Sequence, residues 1–447
     1  MIPLNAWLQE RFVLAGERPA LIGAWGECSY ARLAGLAAEA GRALAGLRLS
    51  GPVAVAVVGG HGPAATAWLL ALEAAGHYAV PLAGNSAEHP ARLAQVNAQW
   101  IVTAEGFAWS LLPRIDEAPP HSLLRQLSAR GAAGLILFSS GTSGQPKAMA
   151  QDFSALLATY QERHASGLPV LALLGFDHIG GLNTLFGALA ARAPLVVPGS
   201  SAPDAVAAAI ARHRVAVLPA SPTFLNLLLV ADAPSAHDLS SLRVITYGTE
   251  PMPESLLGRL QSKFPRVRFI QTFGTSETGI TRTESPVAGS TFLRFEDPCL
   301  EWKIVADELW LRSRTQIAGY LNASNERFTA DGWFRTGDKV EHGPDGTLRI
   351  LGRLGETINV GGEKLMPAEV ESVVLTVPGV ADCRVRGEAH PLTGQTVAVD
   401  VVSFATDQEA LRSAIRIACR ARLARHKIPT RVTFVPSVSG ERMKKVR

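Results

Sequence analysis

The chain has 447 residues, of which 47% are hydrophobic and only 18% are charged. This composition supports large apolar cores over roughly two to four domains, and it excludes a disordered or fibrous chain. The net charge of +4 is too weak for a general nucleic-acid surface, so we expect no nucleic-acid partner.

Repeated strand–helix units are predicted in the N-terminal part of the chain. A strand at 52–58, a helix at 64–75 and a strand at 77–82 form a βαβ unit, which implies a parallel sheet. Later strands end in small polar loops; they are predicted at 134–138, 215–219, 242–247 and 268–273, with helices at 224–230 and 254–264. Such loops lie at the carboxyl edge of an open α/β sheet, where ligands bind.

The pattern changes after Pro298. Short alternating segments separated by Gly and Asp-Gly turns predict antiparallel strands at 308–313, 333–336 and 347–351. From Glu356 the pattern is α+β, with helices at 368–376 and 407–422 and strands at 383–385, 396–404 and 431–435. We therefore predict an α/β fold: a large N-terminal domain (1–353) of parallel-rich sheets flanked by helices, with a small β subdomain (about 299–352), and a small mobile α+β C-terminal domain (354–447).

The cysteines and the first residues predict a cytoplasmic location. The four cysteines lie far apart and form no CxxC spacing, which indicates neither a zinc site nor a disulfide framework; they are Cys28, Cys299, Cys383 and Cys419. Glu10 and Arg11 stand where a signal peptide would need its apolar core. No apolar run approaches the ~18 residues of a membrane span.

A loop of hydroxyls, glycines and a lysine follows the strand that ends at Phe138. Its candidate ligands are Ser139, Ser140, Gly141, Thr142, Ser143, Gly144 and Lys147. The glycines let backbone N–H groups approach an anion, the hydroxyls donate hydrogen bonds and the lysine adds a positive charge, which suits a polyphosphate. The loop is not a Walker A motif, because no Gly-Lys-Ser/Thr follows and Pro146 blocks the usual helix start.

Four motifs in a fixed order resemble those of the adenylate-forming superfamily, which comprises acyl-CoA synthetases, peptide-synthetase adenylation domains and luciferases. They are the loop at 139–147, QTFGTSE at 271–277, GWFRTGD at 332–338, and Gly352-Arg353 leading to GGEKLMPAEVE at 361–371. The chain looks most like a short acyl-CoA synthetase. The resemblance implies that ATP and Mg²⁺ convert a carboxylic acid to an acyl adenylate, that pyrophosphate leaves, and that the acyl group passes to a thiol of CoA or of a carrier-protein phosphopantetheine.

Each motif then has an implied role. The acid's carboxylate and the α-phosphate of ATP, both anions, must meet, and the site must neutralise their charge. Glu277 resembles the family's Mg²⁺ ligand, and Ser276 would bind the α-phosphate. Asp338 would accept both ribose hydroxyls, and Arg353 would donate to ribose or phosphate. The other residues expected to bind the nucleotide come from the strand-end loops, with Phe273 stacked on adenine: Gly248, Thr249, Glu250, Pro251, Thr272, Phe273, Gly274 and Thr275.

The acid-binding end resembles the family's Phe-His-x-x-Gly segment. His178, in FDHIGGL, would line the carboxylate end of the acid pocket. In amino-acid-activating relatives an aspartate near this position holds the substrate ammonium, so a one-residue shift of the alignment would give that place to Asp177. The acid is not readable from the sequence, and we expect a small or medium hydrophobic or aromatic one.

The C-terminal part carries the remaining expectations. Gly361 and Gly362 resemble the segment that passes close to pantetheine in CoA-using members. Gly355 fills the hinge position where the family usually has Asp or Lys. Glu441 aligns with the family's catalytic lysine, so we expect Lys444 to supply that ammonium, with Lys445 or Arg442 in reserve.

Four functions stay open from the sequence. The first is an acid–thiol ligase that uses CoA. The second is a stand-alone adenylation enzyme that loads an amino or aryl acid onto a carrier protein, which Asp177 motivates. The third is an amide-forming ligase, and the fourth, which Glu441 motivates, is a nucleotide-binding protein that has lost adenylation.

Overall fold

The computed structural model describes residues 4–84, 86–114, 120–139, 146–286 and 289–438. The α-helices are α1 Ala6–Ala15, α2 Tyr30–Gly46, α3 Pro63–Ala74, α4 His89–Gln95, α5 Ser122–Ala129, α6 Phe153–Ala158, α7 Ile179–Ala190, α8 Pro203–His213, α9 Pro222–Val230, α10 Ala233–Ala236, α11 Glu254–Lys263, α12 Pro367–Val374 and α13 Gln408–Arg422. The strands are β1 Pro19–Gly23, β2 Gly26–Ser29, β3 Ala54–Gly59, β4 Tyr78–Ala83, β5 Trp100–Glu105, β6 Ala108–Pro113, β7 Gly134–Ser139, β8 Lys147–Asp152, β9 Val170–Leu171, β10 Leu195–Val196, β11 Val217–Ala220, β12 Val244–Tyr247, β13 Arg268–Gln271, β14 Phe273–Thr275, β15 Gly279–Thr281, β16 Thr283–Glu284, β17 Arg294–Phe295, β18 Leu300–Val305, β19 Glu308–Ser313, β20 Gly319–Tyr320, β21 Phe334–His342, β22 Leu348–Arg353, β23 Ile358–Val360, β24 Glu363–Leu365, β25 Val380–His390, β26 Gly394–Ser403 and β27 Arg431–Phe434.

Two seven-stranded sheets form the N-terminal part. One has the order β13-β12-β11-β9-β10-β1-β2, and the other has the order β20-β8-β7-β4-β3-β5-β6. The βαβ unit predicted from the sequence is confirmed, since β3 and β4 pair in parallel and α3 connects them. Apart from Thr66 and Glu73, helix α3 is apolar, and it is buried along most of its length, as expected of a helix inside a large core.

The strands of the first sheet end together at one edge. β11, β12 and β13 are parallel, with Val217 opposite Val244 and Val244 opposite Arg268. Helices α8, α9 and α11 cover this part of the sheet through a core that includes Leu218, Phe224 and Leu257. The loops after β12 and β13 therefore start from adjacent points of a rigid sheet.

The β subdomain is an antiparallel sheet of four strands in the order β18-β19-β21-β22. The sequence-based strand at 333–336 is too short, because β21 continues through Gly337 and Asp338 to His342. Its alternating buried residues include Phe334, Thr336, Asp338 and Val340, so the chain keeps the strand period through Gly337 and Asp338. Asp338 thus lies inside a strand.

The C-terminal part is a separate α+β unit, as the sequence pattern predicts. Its sheet has the order β24-β23-β26-β25, with β27 paired to β26, and α12 and α13 pack on it. Its core residues run from Ile358 to Val432. The boundary after residue 353 stays a prediction. Within the described ranges, no helix is long and apolar enough to cross a membrane.

Candidate active site

The loops after β12 and β13 lie side by side. Tyr247 and Gln271 are opposite each other, and the Thr272 amide and hydroxyl both donate to the Tyr247 carbonyl, at 2.7 and 3.2 Å. Gly248 follows directly, and a Cβ there would lie 2.6 Å from the Thr272 carbonyl oxygen. Only glycine therefore allows this approach, which places the two predicted nucleotide-binding loops against each other. Thr249, next in the chain, has a left-handed backbone (φ 72°), which is unusual outside glycine.

The predicted strand at 268–273 is divided in the structure. β13 ends at Gln271, and Phe273–Thr275 forms β14, which pairs with β15 in a short hairpin. The hairpin's turn contains Ser276 and Glu277, both half-buried, and the Ile317 amide donates to the Glu277 carbonyl at 2.8 Å. A hairpin turn fixed at its base holds the Glu277 carboxylate more rigidly than a free loop would.

Tyr320 connects the phosphate-loop lysine to Glu277. The Tyr320 hydroxyl donates to Glu277 Oε1 at 2.7 Å. Lys147 Nζ lies 5.3 Å from the centre of the Tyr320 ring, within the range of a cation–π contact. The lysine at the end of the first motif and the glutamate of the second are therefore brought to the two sides of one buried tyrosine.

Asp338 and Arg353 form an ion pair across two strands. They are opposite each other on β21 and β22, and Arg353 Nε lies 2.9 Å from Asp338 Oδ1. Arg353 Nη1 also donates to the Thr336 carbonyl, and the Thr336 hydroxyl accepts from the Asp338 amide. Burial raises the pKa of Asp338 to about 6, although the Arg353 charge lowers it.

Charges from separate motifs act on one another at this site. The Glu277 carboxylate contributes to raising the pKa of Asp338, while Arg327 opposes it. The charges of Arg353 and Arg327 likewise lower the pKa of the Tyr320 hydroxyl, against the larger effect of burial. The structure thus brings Lys147, Glu277, Asp338 and Arg353 together, as the sequence predicts, around a tyrosine and an arginine that the sequence reasoning did not select.

The acid-binding end predicted from FDHIGGL lies at the start of α7. His178 is the residue before this helix and is half-buried. Asp177 lies 4.0 Å from Arg92, and both side chains are largely buried. His61 is also close: its Nε2 donates to the Leu174 carbonyl at 2.8 Å and its ring meets Phe176 edge-on. Burial lowers the pKa of His61, so its ring stays neutral at ordinary pH.

The other predicted residues are in two groups. Lys444, Glu441 and the phosphate-loop residues Ser140, Gly141, Thr142, Ser143 and Gly144 lie outside the described residues. Gly361 and Gly362 form the exposed turn between β23 and β24. Their amides donate to the Thr393 carbonyl and the Asn359 side chain, both in the C-terminal part. In the part of the chain that the structure describes, neither glycine is hydrogen-bonded to Glu277 or Asp338.

The chain belongs to the family of AMP-binding enzymes, whose model matches residues 8–321. The model of the AMP-binding enzyme C-terminal domain matches residues 369–445. Together with the fold and the site, this makes the protein an AMP-forming acid–thiol ligase that activates a carboxylic acid with ATP.

Individual relatives agree with this class. The indoleacetate–CoA ligase of Aromatoleum aromaticum is 27% identical, over 99% of this chain and 96% of that protein. The 2-succinylbenzoate–CoA ligase of Bacillus licheniformis is 31% identical, over 71% of this chain and 69% of that protein. Among solved structures, the anthranilate CoA ligase AuaEII in complex with anthranoyl-AMP superposes with a TM-score of 0.85 at 21% identity, over 98% of this chain and 94% of that one. At 21% identity, the similarity to this solved structure shows the fold alone.

Proposed function

We propose that this protein converts an aromatic or hydrophobic carboxylic acid to its CoA thioester through an acyl adenylate. The observation that carries the proposal is the meeting of residues from four separated motifs: Lys147 and Glu277 contact Tyr320, and the Glu277 charge raises the pKa of Asp338, which is ion-paired with Arg353. A site that collects cations and carboxylates from distant parts of the chain suits a reaction in which two anions combine.

Each residue has a chemical task in this proposal. Lys147 and the loop before it hold the phosphates, and Arg353 adds positive charge beside them. Asp338 accepts the ribose hydroxyls, and Phe273 offers an aromatic face to adenine. Ser276, next to Glu277 in the same turn, donates to the α-phosphate. The acid's carboxylate can then attack the α-phosphorus, and pyrophosphate leaves.

Glu277 fits a magnesium ligand. Within the described ranges, no group of three histidine, cysteine or acidic side chains could hold a metal alone. Mg²⁺ is commonly held by one or two carboxylates together with substrate phosphates, and a single half-buried Glu277 suits that arrangement. Bound Mg²⁺ would neutralise phosphate charge, while the protein's own part is to fix the carboxylate.

The acid is proposed to be aromatic because the curated relatives named above act on indoleacetate and 2-succinylbenzoate. In this proposal His178, which precedes α7 at the positive end of the helix, receives the carboxylate end of such an acid. CoA is proposed as the acceptor on the same grounds, with Gly361 and Gly362 in contact with pantetheine. The cytoplasmic location stays a prediction.

An amino acid substrate is the second candidate, since Asp177 could hold its ammonium group. The structure weakens this reading, because Asp177 already lies 4.0 Å from the Arg92 guanidinium. A carboxylate paired with a cation of its own chain attracts a substrate ammonium less strongly. No described contact favours an amide-forming reaction or a loss of adenylation.

The test is a screen of aromatic, aliphatic and amino acids with ATP and Mg²⁺, measured by acid-dependent exchange of pyrophosphate into ATP. Positive acids are then incubated with CoA and analysed for acyl-CoA by mass spectrometry. We expect exchange and acyl-CoA with aromatic acids, and neither with Glu277→Gln. Exchange without acyl-CoA for every acid would contradict the CoA proposal, and exchange with amino acids alone would favour loading of a carrier protein.

A further inference from the structure

Tyr320 is buried between two charged groups that the sequence places in different motifs. Its residue exposure is only 3%, and its ring packs beside Phe328 at 5.9 Å. One end of the side chain donates to Glu277 Oε1, while the ring lies beside the Lys147 ammonium. Among the described residues, Lys147 and Glu277 do not form an ion pair with each other.

The segment that carries Tyr320 also fixes the backbone of Lys147. Tyr320 is opposite Met149 in the antiparallel pair of β20 and β8. Two residues on, the Asn322 side chain accepts from the Ala148 amide at 2.8 Å and donates to the Pro146 carbonyl at 3.0 Å. The residues on both sides of Lys147 are therefore bonded to one asparagine, which sets where the lysine side chain starts.

We propose that Tyr320 is the positioning residue of the metal-binding carboxylate: its hydroxyl orients Glu277, and its ring keeps the Lys147 ammonium away from that carboxylate. The hydroxyl donates to Oε1, and the carboxylate held in this orientation would bind the cation. The ring matters because a lysine free to pair with Glu277 would compete with Mg²⁺ for the same charge. This inference rests on the proposed role of Glu277 as the magnesium ligand.

The hydroxyl is suited to this task because it donates to Glu277 Oε1 at 2.7 Å from a side chain that is only 3% exposed. Partners of a metal-binding side chain usually determine its orientation, and their loss commonly costs about 10- to 100-fold in metal affinity.

The experiment measures Mn²⁺ binding by electron paramagnetic resonance, with saturating α,β-methylene-ATP and no acid, so that no turnover is needed. Tyr320→Phe keeps the ring and removes only the hydroxyl; we expect its Mn²⁺ affinity to fall at least about tenfold. Tyr320→Leu removes the ring as well, and we expect a larger loss. Tyr30→Phe is the matched control, because the buried Tyr30 hydroxyl donates to backbone carbonyls such as that of Ala193 and, over the described parts of the chain, to no residue of the site, so its affinity should equal wild type.

The outcomes separate this inference from the proposed function. Wild-type Mn²⁺ affinity in Tyr320→Phe, with affinity lost in Glu277→Gln, overturns the role of Tyr320 and leaves the metal ligand in place. Wild-type affinity in Glu277→Gln overturns the metal ligand itself. Equal losses in Tyr320→Phe and Tyr30→Phe would show a general effect on the core and would also overturn the inference.

Discussion

Arg353 Nε lies 2.9 Å from Asp338 Oδ1, yet the aspartate pKa is raised to about 6. The two side chains differ in surroundings: the aspartate side chain is 7% exposed, whereas the arginine side chain is 50% exposed. Burial of the carboxylate therefore outweighs a cation that remains partly in water. The free enzyme holds a carboxylate whose charge is costly until a ligand with hydroxyl donors arrives.

We expect nucleotide affinity to depend on pH through Asp338. The ionised carboxylate accepts two hydroxyl hydrogen bonds, and protonation turns one of its oxygens into a donor. Because the pKa of Asp338 is about 6, the Kd for ATP should rise as pH falls from 7 to 5. Calorimetric titration with ATP over this range checks it. With 2′,3′-dideoxy-ATP, which lacks both hydroxyls, the dependence should be weaker, and an equal dependence would contradict the assignment.

Arg353→Ala should raise the pH at which ATP affinity is half lost. The Arg353 charge lowers the pKa of Asp338, so its removal leaves burial and the Glu277 carboxylate, both of which raise it. The midpoint of ATP affinity is then expected above pH 6. The same calorimetric series measures it, and Arg335→Ala, which removes an exposed arginine from the strand that carries Asp338, serves as the control. A midpoint at or below the wild-type value would contradict the role of Arg353.

Asp338→Asn should stabilise the free enzyme above pH 6 while weakening ATP binding. A folded pKa raised from 3.8 means that the folded state holds the proton more tightly than the unfolded state. The stability that depends on this proton is present below about pH 4 and is lost as pH rises through 6, a loss of up to about 3 kcal/mol. The amide has no charge to desolvate, so its Tm should exceed wild type at pH 8 and match it near pH 4. A lower Tm at pH 8 would contradict this account.

Lys147→Ala should raise the KM for ATP by about tenfold and leave measurable turnover, because backbone donors share the phosphate load. Initial rates at varied ATP and saturating acid provide the measurement. Lys303→Ala is a matched control, since Lys303 also lies over an aromatic ring, at 4.2 Å from the Trp333 centre, but in the β subdomain. Unchanged kinetics in Lys147→Ala would mean that this lysine does not contact the nucleotide.

Local sequence patterns predicted the strand-end loops. A hydrophobic strand followed by glycines and hydroxyl residues can be recognised from a few consecutive residues. The roles of Glu277, Asp338 and Arg353 came from the resemblance of their motifs, in the same order, to those of a known family. The strand that carries Asp338 was predicted too short, at 333–336, because the local pattern did not show that the strand continues through a glycine with φ 70°. The buried alternation on either side decides the conformation there.

Long-range partners could not be predicted in the same way. Tyr320 lies on a strand of only two residues and meets Glu277 at a separation of 43 residues. Arg92 and Asp177 come from α4 and from the loop before α7, and neither local sequence carries a sign of the other. Such pairs depend on how sheets and helices pack, which hydrophobic periodicity does not specify.

The Arg92–Asp177 pair should control the affinity for the acid. Arg92 Nη1 lies 4.0 Å from Asp177 Oδ2, and its guanidinium lies over the Phe138 ring, just before the phosphate loop. Arg92→Met removes the cation and leaves Asp177 as an uncompensated negative charge beside His178, where it repels the acid's carboxylate. We expect the KM for the acid to rise at least about tenfold in pyrophosphate exchange at saturating ATP, while Arg92→Lys, which keeps the charge, stays closer to wild type.

The double variant Arg92→Met with Asp177→Asn decides whether charge is the cause. Removing both members of the pair removes the repulsion, so the KM for the acid should return most of the way to wild type. The variant also separates charge from packing, because the contact of Arg92 with Phe138 is lost in both the single and the double variant. Arg92 also pairs with Glu88, which keeps its charge in the double variant. If the double variant keeps the high KM of Arg92→Met, the effect comes from packing beside the phosphate loop or from Glu88, and Asp177 has no electrostatic influence on the acid.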